Sequence, residues 1–296
     1  MASGPSPRHL LTVTVACVLL TAGAVGLAAC GDDEGAATPT TQLTLPGGSG
    51  PDSTTTTTSG GTTGGSGGTA VNPLLAPSPP APVSLPPVAP GLAPVVSRVP
   101  TTEKVIFMTI DDGMFRDPAV IQKFRELGIP FTMFLNTGYA EEDPAFFRGL
   151  QQAGGNVQGH TINHPNLATL GAPAVRAQVC GTNDTFTRLF GTPQTLFRPP
   201  YGNTNATVQQ AAASCGYRAV VLWKGSTNGG KLTMQDGPLK PGDIILMHFR
   251  DTLGADIDDV TRRAREEGFR FGRLEDWLVG PSPLPPPPAP VTTAAR

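Results

Sequence analysis

Three of the four histidines in this 296-residue chain stand in short segments able to hold a metal ion and move a proton. His160 and His164 are four apart in GHTINHP, His248 closes the apolar run DIILMHF, and His9 lies near the N-terminus. Asp111 and Asp112 end VIFMTIDDG, where an apolar strand should stop at a glycine and present its last side chains to solvent. Two neutral imidazoles and a carboxylate make a hydrolytic metal site when a coordination position stays open for water. These residue types in these places predict a metal-dependent hydrolase.

Each segment alone also fits a plainer role. An acidic pair before glycine is a common surface turn, and FRPPYG reads equally as a proline-rich turn between elements. A histidine behind an apolar run is often a satisfied core residue. What favours chemistry is how the segments would work together. Neighbouring strand residues point to opposite faces, so Asp111 and Asp112 need not share one task. On a helical turn, residues four apart are neighbours, so His160 and His164 could reach one ion, and Pro165 limits any such helix to a short turn. Pro199 and Pro200 stiffen the backbone behind Arg198 and hold its guanidinium still.

The positioning elements are expected to alternate. Strands are predicted at 105–110, 130–135, 195–197, 217–223 and 243–247, and helices at 117–127, 143–153, 172–190, 206–213 and 256–267. Such alternation implies an α/β fold with a parallel sheet, open or closed into a barrel, whose active face lies at the strand C-termini. All Phe, Tyr and Trp residues fall between Phe107 and Trp277, which places the folded domain at 101–280. Residues 30–100 are rich in Thr, Gly, Ser and Pro and read as a disordered tether, and 281–296 as a proline-rich tail.

Residues 1–29 combine Arg8 with the apolar run Leu10 to Ala29, as an export signal does. The run meets LAAC, which resembles the lipobox of bacterial lipoproteins and would leave Cys30 lipidated; an uncleaved transmembrane anchor is the competing reading. Both place the domain outside the cytoplasm. Cys180 and Cys215 then remain as a disulfide in an oxidising compartment, or as two buried thiols. The net charge of −2, without a basic cluster, excludes nucleic acid as an expected partner.

In order, TIDDG, HTINH, RPPYG and LMH resemble the motifs of the NodB-type polysaccharide deacetylases, carbohydrate esterase family 4, across Val105 to Leu278. The resemblance implies a distorted (β/α) barrel with fewer than eight strands and a divalent metal, usually Zn2+, held by Asp112, His160 and His164. It assigns Asp111 as general base, oriented by Arg198, the Tyr201 backbone N–H as oxyanion donor and His248 as general acid. Leu246 would line the acetyl pocket, with Trp223 beside it. The implied activity is removal of acetyl groups from an extracytoplasmic polysaccharide such as peptidoglycan, chitin or xylan. The polymer is the partner this resemblance implies; the LAAC segment adds the membrane through a lipid anchor, and the protein is expected to be a monomer.

One stretch departs from the family pattern. Where an aspartate should support the acid histidine, the chain reads VVLWKGSTNGG, so Asp243 or Asp251 would have to substitute, or Lys224 would depress His248. Two other functions share some of these residues. Two histidines and a carboxylate also make the facial triad of non-haem iron oxygenases, but on a different scaffold. A glycan-binding surface lipoprotein that kept the metal pocket and lost turnover is the non-catalytic alternative.

Overall fold

The computed structural model describes residues 72–280. The expected signal, Cys30, most of the tether and the C-terminal tail lie outside the described residues. Ten strands form one mixed sheet: β1 (Val95–Val96), β2 (Val105–Asp112), β3 (Phe131–Leu135), β4 (Gly155–Gly159), β5 (Leu196–Phe197), β6 (Ala219–Val221), β7 (Gly225–Asn228), β8 (Lys231–Met234), β9 (Ile244–His248) and β10 (Arg270–Phe271). Their order is β1-β6-β5-β4-β3-β2-β9-β7-β8, with β10 also on β2, and all pairs except β7–β8 are parallel. Among the described residues seven α-helices accompany them: α1 (Pro118–Leu127), α2 (Thr137–Glu142), α3 (Pro144–Gln152), α4 (Ala172–Phe190), α5 (Ala206–Ser214), α6 (Leu253–Glu267) and α7 (Leu274–Leu278).

The connection from β6 to β7 shows that this sheet is curled. Laid flat, the two strands would stand six spacings apart, roughly 29 Å. Only Leu222, Trp223 and Lys224 join them, a reach of at most about 15 Å. The result is the distorted, open α/β barrel that the sequence predicts.

Alternation along β2 and β9 sorts inside from outside. Ile106, Met108 and Ile110 of β2 and Ile245 and Met247 of β9 pack with Phe124, Phe147 and Val260 of the helical layer. Val105 and Phe107, with Ile244, face inward against Trp277 of α7, which plugs the N-terminal end of the barrel. Thr109 and Asp111 continue the inward face of β2, and Leu246 and His248 that of β9. The chemistry-bearing positions therefore share one lumen.

Two departures from the sequence expectation matter. Residues 72–100, expected within the tether, pack on the barrel: Leu74, Ala76, Ala93, Val96 and Val99 are buried. β1 pairs with β6, while Arg98 bridges antiparallel to Asp243, so this segment spans the gap that the curled sheet leaves. Alternating apolar residues among the prolines carried that signal, but composition masked it. The β7–β8 hairpin was also unforeseen, although Asn228-Gly229-Gly230 is a hairpin turn signature, with both glycines at positive φ. Cys180 of α4 and Cys215 at the end of α5 form the disulfide, with Cα atoms 5.1 Å apart. Closing a loop of this length stabilises by about 3–4 kcal/mol in the chain-entropy account.

Candidate metal centre

The register of β2 on β9 sets Asp111 opposite His248. Asp111 is buried and accepts from Arg198 Nη1 at 2.7 Å. The guanidinium is itself fully buried and also donates to Thr109 Oγ1 (2.8 Å) and the carbonyls of Val221 (3.2 Å) and Leu222 (3.3 Å). It lies 4.2 Å from the Phe134 ring centroid and 5.6 Å from that of Trp223. A charge so deeply buried persists only with such pairing. Burial pushes the Asp111 carboxyl up, and the Arg198 charge opposes the shift. The outcome is a fixed carboxylate more basic than a solvated one.

Asp112 is placed differently. Its φ of 80° leaves the strand region, so its carboxylate does not continue the outward alternation of Ile110. Oδ1 lies 3.6 Å from His160 Nε2 and 3.4 Å from His164 Nε2, and it is buried without a hydrogen-bond partner. The Nδ1 of His160 is 2.6 Å from the Arg198 carbonyl oxygen. A carbonyl can only accept, so the proton sits on Nδ1 and the Nε2 lone pair faces Asp112. Burial lowers the His160 pKa to about 3, which keeps the ring neutral. Ligands bound at roughly 2.0–2.1 Å in a tetrahedron stand about 3.4 Å apart, and the two Asp112–histidine separations fit that spacing. The orphaned oxygen and the preset imidazole both suit a divalent cation.

His160 and His164 do not meet on a helical turn, contrary to the sequence expectation. They occupy a loop after β4 that bends back through positive φ at Thr161 (71°) and His164 (61°). Thr161 Oγ1 accepts from the His164 N–H at 3.0 Å, and Gln178 Oε1 accepts from the Ile162 N–H at 3.0 Å. Tyr201, φ 62°, completes a set: among the described residues, the four non-glycine residues at positive φ are Asp112, Thr161, His164 and Tyr201, all at this site. Strain gathered in one place marks a site built for something other than stability.

The Tyr201 ring is exposed and lies edge-on to His164, with centroids 4.8 Å apart. Leu246 is buried beside Thr109 on the inward face, and half-buried Trp223 covers Arg198 and Gly202. His248 feels the charges of Asp111 and Asp112, but burial dominates and lowers its pKa.

The expected effect of Lys224 on His248 is overturned. Lys224 Nζ pairs with Asp236 at 3.3 Å, and the largest influences on His248 are burial and the charges of Asp111 and Asp112. Asp243 does not substitute for the missing aspartate either: its two oxygens accept from Arg98 Nε (2.6 Å) and the Lys240 N–H (2.8 Å) at the opposite end of β9. Asp251 is exposed, and the negative charges that reach His248 are those of Asp111 and Asp112. Thr109 was missed as a site residue. Its hydroxyl donates to the Ile245 carbonyl (2.6 Å) and accepts from Arg198, and its place two before Asp111 was the only signal.

Fold and site together define a hydrolase of the metal-dependent class on an open α/β barrel. Residues 98–220 match the polysaccharide deacetylase family. An uncharacterised protein of Streptomyces coelicolor is 37% identical over 194 residues, covering 63% of this chain and 78% of that protein. A chitooligosaccharide deacetylase of Sinorhizobium fredii is 30% identical over 201 residues, covering 59% and 92%. Among solved structures, a family 4 carbohydrate esterase from Streptomyces lividans in complex with acetate superposes with a TM-score of 0.51 at 27% identity, covering 59% of this chain and 94% of that one. The chain belongs to the polysaccharide deacetylase family.

Proposed function

We propose that the protein is a zinc-dependent, extracytoplasmic deacetylase that releases acetate from an envelope or environmental polysaccharide. The observation that carries this is the division of labour between adjacent aspartates. Asp111 is locked to Arg198 with His248 opposite, while Asp112 turns an unpartnered oxygen toward two imidazoles.

A divalent ion held by Asp112, His160 and His164 would supply Lewis-acid polarisation of water and of the acetyl carbonyl. Asp111 takes the proton from the attacking water, its raised basicity suiting that transfer. The Tyr201 N–H donates to the developing oxyanion. His248 then protonates the departing amine or alkoxide, so that acetate and the free amine or hydroxyl leave. Arg198 positions two groups at once: its guanidinium orients Asp111 and its carbonyl sets the His160 tautomer. Leu246 and Trp223 flank the acetyl group.

The disulfide supports an oxidising compartment. Among the described residues no helix is long and apolar enough to cross a membrane. Anchoring through lipidation of Cys30, which lies outside the described residues, belongs to this proposal on the strength of the LAAC resemblance alone. The test is acetate release from peptidoglycan, chitin oligomers and acetylated xylan, with and without chelator. Chelator-sensitive release from one of them is expected, and binding without release would favour a non-catalytic glycan receptor. Cys30→Ser should release the protein from the membrane fraction, and unchanged retention would refute the anchor.

A further inference from the structure

Five large apolar side chains are exposed among the described residues. Tyr201 lies against His164, and Met114 and Phe115 follow Asp112 and Gly113 directly along the chain. Met114 (58% exposed) and Phe115 (44%) belong to the loop between β2 and α1. This loop is held firmly. The Phe115 N–H donates to the Phe249 carbonyl, and the Phe249 N–H donates to that of Asp111, so Phe115 sits on the His248–Phe249 corner. Arg116 pins the loop from behind by donating to the Tyr139 carbonyl (3.1 Å) and Glu142 Oε2 (2.7 Å). Asp117 closes the loop by accepting from the Ala119 N–H as the N-cap of α1. Two apolar side chains thus stay in water on a rigid support, where their exposure does nothing for folding.

Resting on the deacetylase reading, we propose that Met114 and Phe115 form a sugar-binding shelf on the His248 side of the cluster. The shelf takes the apolar C–H face of the pyranose ring whose acetyl group is removed. His248 protonates the leaving atom, which belongs to the sugar, so the ring must lie on that side. The acetyl group points the other way, toward Tyr201 and Leu246. A patch of two side chains is far below the roughly 800 Å² per partner of a stable protein interface, but it matches one sugar ring. Exposed Arg250 and Asp251, next along the chain from Phe249, provide polar partners for ring hydroxyls.

The test compares wild type with Phe115→Ser and Met114→Ser, using N-acetylchito-oligosaccharides and acetylated xylo-oligosaccharides. Dissociation constants come from calorimetry and acetate release from a coupled assay, with 4-nitrophenyl acetate as a substrate lacking a sugar. Losing a Phe contact should weaken oligosaccharide binding and raise KM about tenfold, with kcat and 4-nitrophenyl acetate turnover retained. Unchanged dissociation constant and KM in an active Phe115→Ser enzyme would overturn the shelf. So would a change from dimer to monomer in sedimentation with KM unmoved, because the patch would then serve self-association. If wild type binds oligosaccharide without releasing acetate, and Phe115→Ser weakens that binding, the shelf stands and the deacetylase reading falls.

Discussion

The two ends of the barrel each bury a carboxylate in different company. At the C-terminal end of the strands, Asp111 meets a guanidinium at 2.7 Å, surrounded by residues at strained backbone angles. At the N-terminal end, Glu275 of α7 accepts from two neutral donors, Thr132 Oγ1 (2.9 Å) and Gln158 Nε2 (3.2 Å), and Arg273 is 4.0 Å away. Burial raises the pKa of both. The first arrangement pairs a carboxylate with a fixed cation beside an opening, and the second seals a barrel with a group held by neutral donors. Burial alone therefore does not distinguish the two carboxylates; the fixed cation and the open face do.

The comparison is tested most severely at the metal ligands. His160→Ala or Asp112→Asn should lose bound metal, measured by atomic emission, and reduce acetate release by roughly a hundredfold or more. Full metal occupancy in either variant would break the ligand assignment. Asp111→Asn should retain metal and lose turnover, and a metal-free Asp111→Asn protein would mean that the two aspartates exchange roles.

Arg198→Ala should come next, because it strands the Asp111 carboxylate in the lumen. Breaking a buried pair in this way costs about 3–5 kcal/mol, readable by urea denaturation. A loss below about 1 kcal/mol would show that water reaches Asp111 freely.

Glu275→Gln probes the other end and should leave acetate release intact. The folded-state pKa of Glu275 is raised, so its contribution to stability is fully present below the unfolded value and is lost as pH rises through the folded one. Relative to wild type, the Gln variant should therefore gain stability as pH increases across that window. A constant difference from pH 4 to 8 would contradict a raised pKa.

The smallest effects concern His248. In its proposed role as acid it must be protonated, and burial lowers its pKa, so the alkaline limb of the pH–rate profile should fall below the ordinary histidine value of about 6.5. Lys224→Asp should leave that limb where it is, because Lys224 is paired with Asp236. A shifted limb would show that the cation does act on the acid.

Much of this arrangement was legible in the chain. Strand and helix periodicity marked β2, β3, β9, α1 and α4 to within a few residues, because local burial patterns follow local geometry. The acid pair before Gly113 and the rigid Arg198-Pro199-Pro200 run each fit an ordinary turn when taken singly, and it was their order along the chain with the HTINH and LMH segments that pointed to one candidate site. What the sequence could not settle was left to long-range contact. Whether Asp112 continues the strand alternation depends on one φ angle held by the surrounding loops. Whether Lys224 faces His248 depends on the β7–β8 hairpin that puts Asp236 beside it. Whether residues 72–100 dangle or pack depends on a gap in the sheet that exists only once the barrel has curled. The chain itself determined which groups are present and which elements carry them; the tertiary structure decided which carboxylate stands paired and which faces the two histidines, because charges interact through space rather than along the backbone.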